Sequence, residues 1–412
     1  MRLLIGLVLV IVFTLLASSR RWWAYRRYPL LSVLTAGGWI TVFVGILLGQ
    51  HAFPILRERD IELILPIIFI ALGWAGMMIG LQADLKLKRY IPNQTYRVVF
   101  SDLILTILIV STLTGLLFLY LLGAGFTWSA VMLAVLLSVM LLGWTGESRS
   151  FRIMSRSMKV DKLKLMQASS GLVSLVTILL YGILVKVSAS NGTWLSSNEL
   201  IIRTVSSVLL IATLVVAIAL LGKWLMRIIG RREPEFLVLF FGLVSLSVGG
   251  AVALGFSPLF VSMLCGAMIA NIGGKDLSRF RRFILEAERP IALGLLLVAG
   301  MWASPHIGIA GLLLIATLLL AKFLCKIVLP VRLPMLAAGA GFESTKDRIG
   351  YFRQSPLALI LGVELLFLTH VGVLSQFSLS SVERLIGILI ATGVLSHFLS
   401  FLIIQMNRGK PN

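Results

Sequence analysis

The sequence predicts an all-α polytopic membrane protein of about thirteen transmembrane helices, an expectation that rests on its composition, its block lengths and its charge distribution. Of 412 residues, 58% are hydrophobic and 13% charged, with a mean hydropathy of +1.01. Soluble chains carry about 45–50% apolar and about 25% charged residues. The apolar residues fall in blocks of about 20, the length that crosses about 30 Å of hydrocarbon. Lipid leaves the backbone only helices or closed barrels, and blocks this long without period-two alternation are helices.

Breaking the apolar blocks at charge clusters places the spans at 2–18, 30–49, 63–82, 98–123, 127–146, 165–187, 200–222, 235–252, 257–273, 290–304, 306–326, 355–373 and 382–405. The connections after odd-numbered spans hold 31 of the 37 Lys and Arg residues. The opposite side holds Arg2, Arg57, Arg59, Lys186 and Arg384, and Arg203 lies within a span. Basic residues collect on the cytoplasmic side. The expectation is therefore a multi-pass cell-membrane protein, in the inner or plasma membrane, with its amino terminus outside and its carboxyl terminus in the cytoplasm. A net charge of +20 then reports topology, and no nucleic-acid partner is needed. The first span resembles a signal peptide in length, but Arg20 and Arg21 follow its apolar run, a pattern that retains it in the membrane. The basic stretch from Arg149 to Lys164 interleaves Phe151, Ile153 and Met154 and reads as an interfacial helix on anionic lipid.

The organisation expected is an N-terminal span and first cytoplasmic loop (1–29), a transmembrane domain (30–405) and a short cytoplasmic tail (406–412). The transmembrane domain divides into two inverted halves, 30–188 and 235–405. Spans five and twelve are seven apart, an odd offset that makes equivalent elements run in opposite directions. The fifth ends in Gly143, Trp144, Thr145 and Gly146; the twelfth carries Pro356 near its start and Gly362 near its middle. Such residues free backbone carbonyls and amides to line an ion site in crossing, broken helices. They equally permit tight helix packing.

Several segments together resemble the sodium/hydrogen exchanger and cation/proton antiporter superfamily. Gly80-Leu81-Gln82-Ala83-Asp84-Leu85 is similar to a Gly-Leu-x-x-Asp-Leu segment closing that family's third span. Gly255-Phe256-Ser257-Pro258 followed by Gly266 to Asn271 resembles its Gly-x-Ser-Pro stretch, and Ala299-Gly300-Met301 the end of its tenth span. The resemblance runs over residues 30–405 and implies an antiporter-like fold, a homodimer, and exchange of a monovalent cation for protons. It also exposes departures. Where family members place Thr-Asp, this chain has Thr145-Gly146; where they place Asn-Asp or Asp-Asp, it has Ser174-Leu175; and span ten has no charge after Arg289. A divergent member lacking the ion-site aspartates is what the resemblance implies. Hydroxyls can bind Na⁺ or K⁺ but do not trade a proton for it at neutral pH, so coupling falls to another acid.

Glu364 is the deepest acid, at a cost of about 2.5–3.5 kcal/mol even on the lenient insertion scale. It reads either as a relocated proton carrier or as a neutral group bonded to a neighbouring helix or to Arg203. Glu147 follows the break in span five and also opens a basic stretch. Asp102 reads as an interfacial partner of nearby Arg97, and Arg203 as a cation snorkelling to the outer surface. Ser169, Ser170, Ser174 and Thr177 complete the candidate pathway with Thr145, since Ser170, Ser174 and Thr177 share one helical face. His370, His397, Cys265 and Cys325 have no metal spacing and read as packing residues. No catalytic constellation, cofactor motif or metal site is expected, which leaves three readings: a transporter resembling cation/proton antiporters with altered coupling carboxylates, a transport-inactive membrane scaffold, sensor or complex subunit, and a carrier of another small solute or anion.

Overall fold

A computed structural model describes residues 12–15, 38–49, 58–83, 93–121, 127–142, 160–189, 198–228, 233–272, 288–328 and 352–408. Twelve α-helices follow one another: α1 (Trp39–Leu48), α2 (Glu58–Leu81), α3 (Asn93–Leu116), α4 (Trp128–Met140), α5 (Val160–Ala189), α6 (Asn198–Ile228), α7 (Glu233–Ala253), α8 (Pro258–Ile272), α9 (Glu288–Trp302), α10 (Gly308–Phe323), α11 (Leu357–His370) and α12 (Leu379–Arg408). They fall one for one on the second to thirteenth predicted spans. Of the first span, residues 12–15 are described and are helical. Seven helices, α2, α3, α5, α6, α7, α10 and α12, are long and apolar enough to cross a membrane. The chain is a multi-pass membrane protein.

The four shorter apolar helices come in two pairs seven apart, α1 with α8 and α4 with α11. Packing repeats the same relation. The α1–α9 pair becomes the α8–α2 pair when each helix is exchanged for its counterpart, and both pairs are in close contact. The α4–α5 and α11–α12 contacts correspond in the same way, as do α3–α5 and α10–α12. Even the ends agree, since α3 finishes in a π-helical turn at Leu117–Leu121 and α10 in one at Leu324–Val328. This is an inverted repeat built in packing as well as in order.

Glycine makes the two symmetric pairs possible. A Cβ at Gly76 or Gly80 of α2 would run into the Leu259 or Met263 carbonyl of α8, and one at Gly45 or Gly300 would close on the facing backbone of the α1–α9 pair. With no hydrophobic drive between helices in lipid, backbone contact through small residues supplies the packing instead. By contrast α6 lies between the halves and presents Val205, Val208, Leu209, Leu220 and Trp224 outward, an apolar face suited to lipid.

Of the two residues expected to break α11, the structure places the boundary at Pro356 and keeps Gly362 helical. The chain is non-helical at Arg353, Gln354 and Ser355, and Pro356 caps the helix. Gly362 stays helical, packed near Ile386 and Leu389 of α12. A glycine packed against a neighbouring helix can keep its helical conformation, whereas proline, which donates no backbone hydrogen bond, marks a boundary. The matching break after α4 begins at Leu141; Thr145 and Glu147 lie outside the described residues.

Candidate functional site

Glu364 is fully buried on α11. Its Oε1 accepts the Ser257 hydroxyl at 2.8 Å and the Leu259 amide at 2.9 Å, both at the amino end of α8. The local sequence explains the geometry. Gly255, at φ 66°, closes α7 in a left-handed turn that returns the Phe256 amide to the Ala251 carbonyl at 2.9 Å, a conformation glycine adopts without penalty. Ser257 then caps α8 by accepting the Phe260 amide at 3.0 Å. Pro258 takes the first helical position, where its missing N–H is no loss. The next amide, Leu259, is the one that reaches Glu364. The second carboxyl oxygen, Oε2, has no hydrogen-bond partner among the described residues.

Helix α5 supplies the third wall. Gly182 lets it close on Phe260 of α8, and this contact turns Tyr181 toward α11, where its hydroxyl donates to the Leu361 carbonyl at 3.2 Å. One turn earlier, Thr177 is fully buried with its Oγ1 unpartnered among the described residues. The buried stripe of α5 therefore runs Ser169, Val173, Thr177, Tyr181. Ser170 and Ser174 are half-buried beside it, the Ser174 hydroxyl bonded back to the Ser170 carbonyl at 3.0 Å. The fully buried stripe thus shares Thr177 with the expected Ser170–Ser174–Thr177 face, and Ser170 and Ser174 border it.

A second polar cluster lies at the broken ends. Helix α4 stops at Met140, and its terminal carbonyls have no partner within the helix. The Lys326 ammonium donates to the Leu142 carbonyl, two residues past the helix end, at 3.3 Å, and pairs with Asp102 of α3. A cation there also meets the negative end of the helix dipole. Thr106, one turn beyond Asp102, donates to Cys325 at 3.8 Å. Lys322, one turn before Lys326, is fully buried; its ammonium lies 5.9 Å from the centre of the Phe352 ring and has no hydrogen-bond partner among the described residues. Across from it, Arg353 is 3% exposed, with Nε unpartnered among the described residues. Gln354 donates to the Leu389 carbonyl at 3.4 Å. His397 of α12 packs edge-on to Trp39 at 5.2 Å, with Nδ1 2.9 Å from the Gly393 carbonyl.

Among known structures, the chain is similar to that of the sodium/proton antiporter MjNhaP1 from Methanocaldococcus jannaschii at pH 8. The TM-score is 0.68 at 14% identity, over 97% of this chain and 99% of that one. The fold is that of a sodium/proton antiporter. An electron-microscopy structure of the same antiporter aligns with a TM-score of 0.51 at 16% identity, over 88% of each chain. No family model and no curated protein sequence matches the chain.

Within this antiporter fold the residues singled out from sequence separate. Glu364 and Thr177 lie on helices that meet at the amino end of α8, and Ser169 lies further along the same stripe. Asp102 belongs to the other cluster, and its partner is Lys326, 224 residues away, while Arg97 is exposed. Proximity in sequence misled here because Arg97 and Asp102 fall on different faces of α3. Arg203 lies in α6, and its side chain is outside the described residues. Lys322, Lys326 and Arg353 were counted as loop charge and are interior instead. The signal was available, since two lysines four residues apart share a helical face and continue an apolar run. No group of three or more His, Cys, Asp or Glu residues able to hold a metal occurs among the described residues.

Proposed function

We propose that the chain is a secondary transporter that exchanges a monovalent cation for protons, with Glu364 as the coupling carboxylate. The observation that carries this reading is the half-satisfied acid: a carboxylate fully buried in the broken-helix layer of an antiporter fold, with Oε1 held and Oε2 unengaged. Ionisable groups at membrane depth mark ion pathways or proton relays. Here one oxygen fixes the position of the carboxyl group and the other is left to take a proton or a cation. Thr177 and Tyr181 supply neutral oxygens on the facing helix, as ligands that need not change charge. The Thr145-Gly146 and Ser174-Leu175 positions carry no acid that would compete for this role.

The reading includes a homodimer and an outside amino terminus, both taken from the resemblance and the charge distribution. Its test is a proteoliposome assay in which Na⁺, K⁺ or Li⁺ is added against an imposed pH gradient. At least one cation is expected to dissipate the gradient, and Glu364→Gln, which keeps size and an acceptor oxygen, is expected to abolish that response. Exchange at an unchanged rate in the Gln variant would remove Glu364 from the mechanism. No response to any of the three cations would remove the transport reading itself.

A further inference from the structure

The cluster at the broken ends holds more positive charge than its own acid can compensate. Lys326 is accounted for twice over, by Asp102 and by the Leu142 carbonyl just past the end of α4. Lys322 and Arg353 are not. The first is fully buried and the second 3% exposed, and neither the Lys322 ammonium nor the Arg353 Nε has a hydrogen-bond partner among the described residues. They are close in the fold: the Lys322 ammonium stands 5.9 Å from the centre of the ring of Phe352, the residue before Arg353. The amino end of α11 opens four residues after Arg353 and adds the partial positive charge of a helix start, while its first amides are taken by the protein itself, Leu357 by the Ser355 hydroxyl at 3.2 Å and Ala358 by the Ser355 carbonyl at 3.1 Å. A buried charge left without a partner costs several kcal/mol, so such groups are normally paired.

We propose that Lys322 and Arg353, beside the amino end of α11, form a binding site for a small inorganic anion. A lipid headgroup is too large to be its occupant, because every cation in the cluster is buried to within a few percent. The required ligand is compact, carries about one negative charge, and accepts hydrogen bonds from an ammonium and a guanidinium edge together. Halide ions and small oxyanions share that chemistry. Phe352, standing against Lys322, and Phe323, edge-on to it at 6.5 Å, supply an apolar wall that strengthens the attraction by lowering the local dielectric. The site goes beyond cation exchange at Glu364 and stands whether or not that exchange is found.

The test uses the full chain purified in detergent and needs no transport activity. Thermal unfolding is followed in sodium gluconate and in sodium chloride at equal sodium and ionic strength, with radiolabelled chloride binding measured by equilibrium dialysis in parallel. The expected result is saturable binding of one chloride per chain, displaced by bromide or nitrate, with a matching saturable rise in melting temperature. Lys322→Met is expected to weaken binding by at least tenfold, a change of about 1.4 kcal/mol. It should also melt higher than wild type in gluconate, since the unpaired charge is gone. Lys322→Arg keeps the charge and should keep most of the binding. Glu147→Gln separates a free anion from an internal carboxylate and should leave chloride binding in place. Absence of saturable binding up to several hundred millimolar chloride would overturn the proposal. So would an equal chloride effect on wild type and Lys322→Met, or chloride binding that first appears when Glu147 is replaced.

Discussion

Glu364 and Arg353 each sit beside the amino-terminal end of a short helix, an acid at α8 and a cation at α11. At α8 the signs agree: a carboxylate meets the Leu259 amide and the positive end of the dipole, and a serine hydroxyl completes the arrangement. At α11 the signs oppose, with Arg353 and Lys322 near the same kind of positive end. The first arrangement can hold α8 against α11 with the protein's own groups. The second is balanced only by something added. One antiporter fold thus contains a site that structure alone explains and a site that structure alone leaves unexplained, and the two respond differently to substitution.

The largest stability effect should come from the Lys326–Asp102 ion pair at the broken ends. Asp102→Asn removes a counter-charge from Lys326 in a buried setting, which is expected to cost about 3 kcal/mol, the low end for a broken buried pair, because the Asp102 side chain is 12% exposed. Removing both charges together, in Asp102→Asn with Lys326→Met, should cost much less than the sum of the two single changes. Denaturation of the purified variants reads this directly. Strict additivity would mean that the pair does not act as a unit and that the cluster is more loosely held than its distances imply.

Next in size are the close approaches that set both sites in register. Gly76→Val places a side chain against the Leu259 carbonyl, one residue of α8 away from the Ser257–Pro258 turn that Glu364 holds. Overpacking of this kind costs about 1–3 kcal/mol, and in this position it should also displace Leu259 from Glu364. A transport defect is therefore expected to accompany the loss of stability. Gly300→Val strains the equivalent α1–α9 pair and should destabilise by a similar amount. Any smaller effect on exchange would show that the α2–α8 contact positions the acid while its counterpart serves packing.

The comparison also shows where sequence reading holds and where it stops. Twelve helices fall on the second to thirteenth of the thirteen spans read from hydropathy because apolar length is a one-dimensional property, and lipid permits no other use of such a segment. Pro356 marks a break legibly because it cannot donate a hydrogen bond. Gly362 misleads because glycine is tolerated in a membrane helix whenever neighbours hold it. Glu364 stands out as a lone acid in an apolar run, but Ser257 and Tyr181 do not, since Ser257 meets it across 107 residues, Tyr181 bonds Leu361 of the same helix across 180, and both relations arise only when α5, α8 and α11 meet. Lys322 and Lys326 are the instructive failures. At the end of an apolar block they look like cytoplasmic flanking charge, and only the continuation of the helix through Val328 turns them inward.

A smaller effect separates capping from coupling at Glu364. Ser257→Ala removes both the cap on the Phe260 amide and the hydroxyl on Glu364, for an expected loss of about 1 kcal/mol. Glu364→Gln keeps an acceptor for the Leu259 amide and should lose less. If the acid serves only to cap α8, exchange should fall in proportion to these stability losses. If it couples, Glu364→Gln abolishes exchange while remaining the more stable of the two.

The smallest effect is the sharpest test of whether α5 belongs to the site. Tyr181→Phe deletes one hydroxyl, which donates to the Leu361 carbonyl, and leaves the ring and its packing in place. Interhelical hydrogen bonds in membranes average about 0.6 kcal/mol, so the change in stability should be near the limit of detection. If the Tyr181 oxygen only ties α5 to α11, cation dependence of exchange should stay as in the parent. If it faces the ion that Glu364 takes up, the apparent cation affinity should fall severalfold with little change in melting temperature. That outcome can be separated from a folding defect because Thr177→Val, one turn away on the same stripe and with an unpartnered hydroxyl among the described residues, should change affinity in the same direction without breaking any bond.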